Sequence, residues 1–468
     1  MNKRTLTLIL GPVILLVTSF LLKDVISLKG AQAVGTLLWM IFWWIKRPVN
    51  MAVTGLMPVC VNALLQIATM KNVIANYSSE MIFLIFGASL LIMPWGNIGL
   101  DRRIALKCLS IVGPSMSSQI VVWLCVSSFL STVLPNTVVA ALLVPIACAM
   151  LKVAGYEDIK KSAPAMPILL ALTWGCGIGG MGTPLGGMMN VTAINLIQEY
   201  TGVEVSYLSW IAKTVPFMLI TLASTYVILK FVPNPVKQLE GTKDFFKTSY
   251  AELGPMKYEE KVCMVTFVLS IAAALLRPLY QSFLPALTPA YVNLILGTMN
   301  MFLVGKDKNP LLTWEIAQTK MLWSMMCTFA GGLAAGTLIS ESGAAQNIAN
   351  IITGFNLTGG IAVIAIFVIL IKLISETTSS TTGAAVVIPI MISFCQTMDI
   401  NAVPYIMILV YGFSGIFVLP ISWHAIAVGY GLNVNMQFKF GLISTLVNIT
   451  LAVLVGYLFL QFWPYFSI

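Results

Sequence analysis

With 468 residues, 58% of them hydrophobic and only 9% charged, the chain lacks the roughly one-quarter charged residues of a soluble domain and is read as a protein of the lipid bilayer. Its net charge of +9 is accounted for by membrane topology below, which leaves a nucleic-acid partner without support. A single histidine and the lack of clustered carboxylates argue against an enzyme, and no cofactor or metal is expected.

The first segment, Met1-Asn2-Lys3-Arg4 followed by an apolar run, resembles a signal peptide. No small-residue cleavage site with a hydrophilic mature domain follows, so 6–22 is read as a retained helix. Further apolar stretches of the roughly 17 to 25 residues that cross a hydrocarbon layer fall near 31–45, 50–67, 81–100, 166–200, 207–232, 262–285, 289–304, 318–339, 402–432 and 440–463. Two more, about 112–150 and 360–397, carry polar, helix-breaking triplets in mid-segment and read as re-entrant hairpins. The expected fold is an all-α integral membrane protein of about 11 transmembrane helices plus two re-entrant helical hairpins. Between the halves lies the polar stretch 233–261, whose mixed charges and aromatics (Phe245, Phe246, Tyr250, Tyr258) suit a cytoplasmic interfacial helix or a solvated loop. The eight cysteines show no CxxC or metal-ligand spacing and read as small hydrophobes.

The two hairpins are copies. Pro135-Asn136-Thr137 through Ile146 matches Ser379-Ser380-Thr381 through Ile390 at an offset of 244 residues, with Pro145 against Pro389. Upstream, Gly87, Gly99, Ile104 and Ala105 match Gly331, Gly343, Ile348 and Ala349. If the N-terminus is cytoplasmic and the hairpins do not cross, twenty Lys and Arg lie inside. Only Lys23, Lys29, Lys71, Lys213 and Arg277 lie outside, as the positive-inside rule requires, and Lys372 sits in the second hairpin. Five crossings then separate the copies, so the repeat is inverted. The expected setting is the plasma (inner) membrane, N-terminus cytoplasmic and C-terminus extracytoplasmic.

Repeated, polar-interrupted apolar segments point to the binding site of a secondary transporter. A helix that restarts in mid-membrane aims free N–H groups and the positive end of its dipole at the preceding break, which suits an anion. Asn136 and Thr137 in one copy, and Ser379, Ser380 and Thr381 in the other, add side-chain donors at those starts. Two such tips suit two carboxylates or one tetrahedral dianion. Ser375, Thr377, Thr378, Thr382 and Thr132 are read instead as bonding their own backbone or a neighbouring helix.

These motifs resemble those of the divalent anion:sodium symporters, the INDY-type dicarboxylate transporters, which carry Ser-Asn-Thr at each hairpin tip followed by a small-residue helix ending in Pro. The Gly179-Gly180-Met181-Gly182-Thr183-Pro184 stretch looks like that family's break in the following helix. The resemblance implies a homodimer moving by an elevator mechanism. Scaffold helices are expected at 1–100 and 262–345, transport regions at 101–232 and 346–468, and a connector at 233–261. It also implies substrate contacts from Pro135, Asn136, Thr137, Gly182, Thr183, Ser379, Ser380 and Thr381, to which His424 is added as a candidate below.

The departures concern sodium. Where symporters carry Thr-Pro-Pro-Asn, this chain has Gly187-Met188-Met189-Asn190 and Ser422-Trp423-His424-Ala425, and Ser380 replaces the second Asn. Hard cations need several oxygen ligands, and these changes remove oxygens, most of all in the second half. His424, standing where an Asn is lost, is a candidate for compensating a dianionic substrate in place of sodium, or a neutral histidine packed among helices and bonded to a carbonyl. Lys372 and Glu376, four apart, are expected to form a structural ion pair, with Glu376 near enough to orient the tip. Trp174, Trp423, Met188 and Met189 are read as packing. The expected function is sodium-independent exchange of C4 or C5 dicarboxylates such as succinate, malate, fumarate or 2-oxoglutarate. The alternative is a sodium- or proton-coupled symporter of dicarboxylate, citrate or sulfate.

Overall fold

The computed structural model of the chain describes residues 3–306, 308–344, 346–347, 359–377 and 379–467. Ile348, Ala349 and Thr378 lie outside the described residues. Among those described there is no β-strand, only isolated bridges at Ser115–Gln238 and Val304–Pro310. That is the outcome expected where backbone polar groups must be satisfied within each segment. Several helices start on the residue types that accept from a free N–H. Ser115 and Ser206 cap Met116–Ser131 and Tyr207–Leu229, and Asn401 and Asn433 cap Ala402–Phe413 and Val434–Phe462.

The expected segments are present, several of them in pieces. The stretch 50–67 forms Met51–Gly55 and Met57–Leu65, with Pro58 near the second start. The stretch 166–200 divides into Ala165–Gly179 and Met188–Thr201, and 402–432 into Ala402–Phe413 and His424–Tyr430. Among the described residues six helices are long and apolar enough to cross a membrane, or seven if the pair Trp314–Lys320 and Trp323–Glu341, bent by 55°, is one span. That is fewer than the 11 crossings expected.

The repeat is visible in the backbone. Asn136–Val153 and Ser380–Thr397 begin 244 residues apart and end 244 residues apart. Gly99 and Gly343 both hold positive φ, 81° and 77°, where a side chain is strained. Gly87 and Gly331 both permit close backbone contact with the other half. A Cβ on Gly87 would lie 2.3 Å from the Leu294 nitrogen, and one on Gly331 2.1 Å from the Gly55 oxygen. Small residues at such crossings are how helices approach closely in lipid.

Packing gathers the helices into three groups. Leu28–Lys46, the pieces between 51 and 75, and Trp323–Glu341 pack together, as do Glu80–Ile98, Tyr258–Leu275 and Pro289–Met299. The helices of 116–229 pack with one another and with those of 361–462. The connector is ordered as the helix Thr242–Ala251 with Phe246 fully buried against Trp123, not as a plain loop. It is tied to the first hairpin's entry, where the Met116 amide donates to Lys237 O at 2.9 Å and the Leu239 amide to Pro114 O at 2.7 Å. It is also tied to Arg103, which donates to Glu260 at 2.8 Å and to the Gly254 carbonyl at 2.8 Å.

Candidate binding site at two broken helices

The first hairpin turns at 132–135, and Pro135 caps the restarting helix with its carbonyl, accepting from the Val138 and Val139 amides. Asn136 and Thr137 are that helix's first two residues, half-buried and exposed respectively. The second hairpin reproduces this with Ser379 as cap and with Ser380 and Thr381 in the first two positions. Ser379 Oγ accepts from the Thr382 amide at 3.1 Å and contacts Thr382 Oγ1 at 2.9 Å. Ser380 Oγ donates to Phe413 O at 2.8 Å, so its proton is committed to the neighbouring broken helix rather than free for a substrate. Thr132 and Thr377 bond carbonyls in their own turns, as expected, whereas the buried Ser375 hydroxyl has no partner.

Each tip meets a break. In the first half the helix ends at Gly179 and resumes at Met188. Gly175 and Gly179 let it lie directly on Met116–Ser131, since a Cβ on Gly179 would fall 2.0 Å from Ser128 O. Thr183 donates to the Thr132 carbonyl and accepts from the Gly186 amide at 3.2 Å, fastening the break to the tip. Gly182 sits in a tight bend, where a Cβ would meet Thr132 at 2.9 Å and Met218 at 3.0 Å.

Gly180 lies beside the Asn136 amide, whose Oδ1 is 3.1 Å from where a Cβ on Gly180 would stand. Asn190 closes the break by donating Nδ2 to Gly180 O at 2.6 Å and to Thr183 O at 2.8 Å. With both donors committed, the orientation of that amide is set by its acceptors. Two buried acceptors are left without a donor, Asn136 Oδ1 beside Gly180 and Asn190 Oδ1 on the side chain whose Nδ2 bonds Gly180 O.

The second break, 414–423, is satisfied by charge. Lys372, 0% exposed, donates Nζ to Ser414 O at 2.9 Å and also to Gly415 O, with the Phe417 ring centroid 4.7 Å away. Glu376 lies 3.6 Å from that ammonium. Its carboxylate accepts from the Phe417 amide at 3.0 Å, the Val418 amide at 3.1 Å and Thr445 Oγ1 at 2.8 Å. The expected ion pair is therefore present, and it also staples the unwound backbone.

His424 begins the helix after the break. It is fully buried beside Trp423, and neither ring nitrogen has a partner. The cationic group against the second break's carbonyls is Lys372. Neither the amide nor the carbonyl contacts of the Lys372–Glu376 pair were foreseen. The available signal was a Lys and a Glu inside an otherwise apolar arm.

Two indoles hold the breaks together. Trp174 Nε1 donates to Phe417 O at 3.2 Å, and Trp423 Nε1 to Thr173 O at 2.9 Å. The Gly415 amide reaches Gly177 O at 3.4 Å. Gly177 and Gly180 are one helical turn apart, about 4.5 Å of rise, so the first tip, through Gly180, and the second, through Phe413, are anchored to one centre. The helix after each break packs against the opposite hairpin, His424–Tyr430 on Asn136–Val153 and Met188–Thr201 on Ser380–Thr397. A cleft of about 250 Å³ runs beside this centre between Pro184, Leu185 and Tyr207 on one side and Glu80, Arg277 and Thr288 on the other. None of the tip residues lines it.

Residues 2–467 match the family described as the sodium:sulfate symporter transmembrane region. The chain belongs to this family. Members of the sodium:sulfate symporter family are transporters, and this chain is accordingly a multi-pass membrane transporter with six or more apolar helices. Among its relatives, the sodium-dependent dicarboxylate transporter SdcS of Staphylococcus saprophyticus is 26% identical over 470 residues, 96% of this chain and 90% of that one. SdcS of Staphylococcus aureus is 27% identical over 474 residues with the same coverage. The fold is shared with the YdaH transporter of Alcanivorax borkumensis, at a TM-score of 0.57 and 13% identity over 84% of this chain and 88% of that one. MtrF of Neisseria gonorrhoeae, described as illuminating a class of antimetabolite efflux pumps, has a TM-score of 0.51 and 12% identity over 82% and 83% of the two chains.

Proposed function

We propose that this protein is a secondary transporter of dicarboxylates coupled to sodium, with the coupling ion taken up at the first break. The observation that carries the coupling is two buried, donorless oxygens at the first break, Asn136 Oδ1 beside Gly180 and Asn190 Oδ1 on the amide that bonds Gly180 O. Leaving a buried acceptor unsatisfied costs about 1–3 kcal/mol, and oxygens of this kind are what a hard cation takes. Sodium-independent exchange was the first expectation because the sequence loses oxygens near both breaks. The oxygens that remain in the first half, and the sodium dependence of the SdcS relatives, favour the coupled alternative.

The two restarting helices supply dipoles of the sign a dianion needs, and the relatives' substrates make dicarboxylate the preferred class. Transport regions 101–232 and 346–468 moving against scaffold regions 1–100 and 262–345 within a homodimer complete the reading. Purified protein in liposomes tests it. An inward sodium gradient is expected to drive labelled succinate into vesicles that hold no dicarboxylate, and an equal potassium gradient is not. Uptake that ignores sodium and requires internal dicarboxylate would overturn coupling and establish exchange.

A further inference from the structure

The two breaks solve the same electrostatic problem with different materials. A helix that stops in mid-membrane presents carbonyls at the negative end of its dipole, and in transporters with unwound helices such carbonyls are where coupling cations bind. At the first break they are met by neutral groups, and two further oxygens stand without donors. At the second, the ammonium of Lys372 is bonded to the carbonyls of Ser414 and Gly415, lies beside the Glu376 carboxylate and faces the ring of Phe417. That is the environment of a bound monovalent cation: carbonyl oxygens, one carboxylate and an aromatic face.

We infer that the Lys372 ammonium is the resident cation of the second break, a covalently attached charge in the place of a second coupling ion. The inference rests on the cation-coupled reading above and adds the number of ions. Lysine reaches this position because it sits one helical turn before Glu376 on the arm Ile361–Thr377, which packs against Ala402–Phe413. Its burial is tolerated because each polar partner in turn is held. Glu376 is fixed by two backbone amides and Thr445, and the carbonyls belong to a segment anchored by Ser380 and Trp174. A sodium ion finds no vacancy here, since the oxygens it would need already surround Nζ. The resident charge travels in every state of the cycle, so only the first break exchanges its cation with solution.

Sodium binding is counted directly, without transport, by equilibrium binding of radiolabelled sodium to purified protein. Lys372→Met keeps the unbranched stem but ends it one atom short of Nζ, removes the charge and leaves the Glu376 carboxylate facing two open carbonyls. It is expected to bind one sodium ion per chain more than the natural protein. Lys372→Met combined with Glu376→Gln is expected to return to the natural count. Equal counts for the natural protein and a monodisperse Lys372→Met would overturn the inference. Should Lys372→Met not fold, the natural protein decides: two sodium ions per chain overturn the inference, one supports it, and none removes the coupled reading on which it rests. A natural count of zero would sink the proposed coupling while leaving the difference between the proteins to judge Lys372, so the two failures are distinguishable.

Discussion

At the residue scale, function follows from which buried polar atoms have partners. Asn136 is at the first helical position of its tip, with Oδ1 buried and donorless against Gly180. Removing that oxygen with Asn136→Ala deletes a ligand of the proposed cation site. A contact to a charge is worth about 1.5–3 kcal/mol, so the half-saturating sodium concentration for uptake should rise about tenfold or more. His424→Gln should leave both that concentration and the pH profile of uptake unchanged, because Lys372, not the imidazole, meets the second break's carbonyls. A changed pH profile in His424→Gln would restore the imidazole to the mechanism. Sequence alone located the helix restarts at Asn136 and Ser380 because their register with Pro145 and Pro389 is local. It missed the partner of Lys372 because Ser414 and Gly415 lie more than forty residues away, on a break whose bend only tertiary packing fixes.

At the scale of elements, the offset of 244 residues survives as matched helix ends at 136 and 380 and at 153 and 397, and as two left-handed glycines at 99 and 343. These were legible because start signals and glycines act within a turn of their own position. The connector was half legible: its aromatics suggested a helix, while its clamp to Arg103 needed the fold.

That clamp has a predictable pH dependence. Burial pushes the Glu260 carboxyl up, but the Arg103 hydrogen bond and the Lys257 amide outweigh it and leave it below the ordinary 4.5. A carboxyl depressed in the folded state contributes stability fully above its unfolded pKa and loses it as pH falls through the folded value. The contribution should therefore be constant above about pH 5 and fade in more acidic solution. Glu260→Gln strands a buried guanidinium, for which about 3–5 kcal/mol is the usual cost. Thermal unfolding in detergent at neutral pH should occur at a clearly lower temperature in the variant, and the difference from the natural protein should shrink as the solution is acidified. A variant as stable as the natural protein at neutral pH would show that the pair is dispensable.

At the scale of the molecule, the proposed division into moving and fixed regions makes a demand on two particular helix contacts. The helix Trp323–Glu341 belongs to the scaffold regions and Ser380–Thr397 to the transport regions, and they touch where a Cβ on Gly332 would lie 2.8 Å from the Ala385 Cβ. If one region slides past the other, this contact must break in every cycle. The contact between Gly30 and Ala344, where a Cβ would lie 3.4 Å from the Ala344 Cβ, joins two scaffold segments and should persist. Disulfides want Cβ atoms about 3.5–4.5 Å apart, so both sites are within reach after small outward shifts. With the exposed Cys60 and Cys125 replaced, oxidised Gly332→Cys/Ala385→Cys should lose uptake, and a reductant should restore it, which also shows that the variant folds. Oxidised Gly30→Cys/Ala344→Cys should transport as before. Full uptake through a confirmed 332–385 crosslink would mean that these helices move together, and the boundary between fixed and moving regions would then have to lie elsewhere than between 262–345 and 346–468.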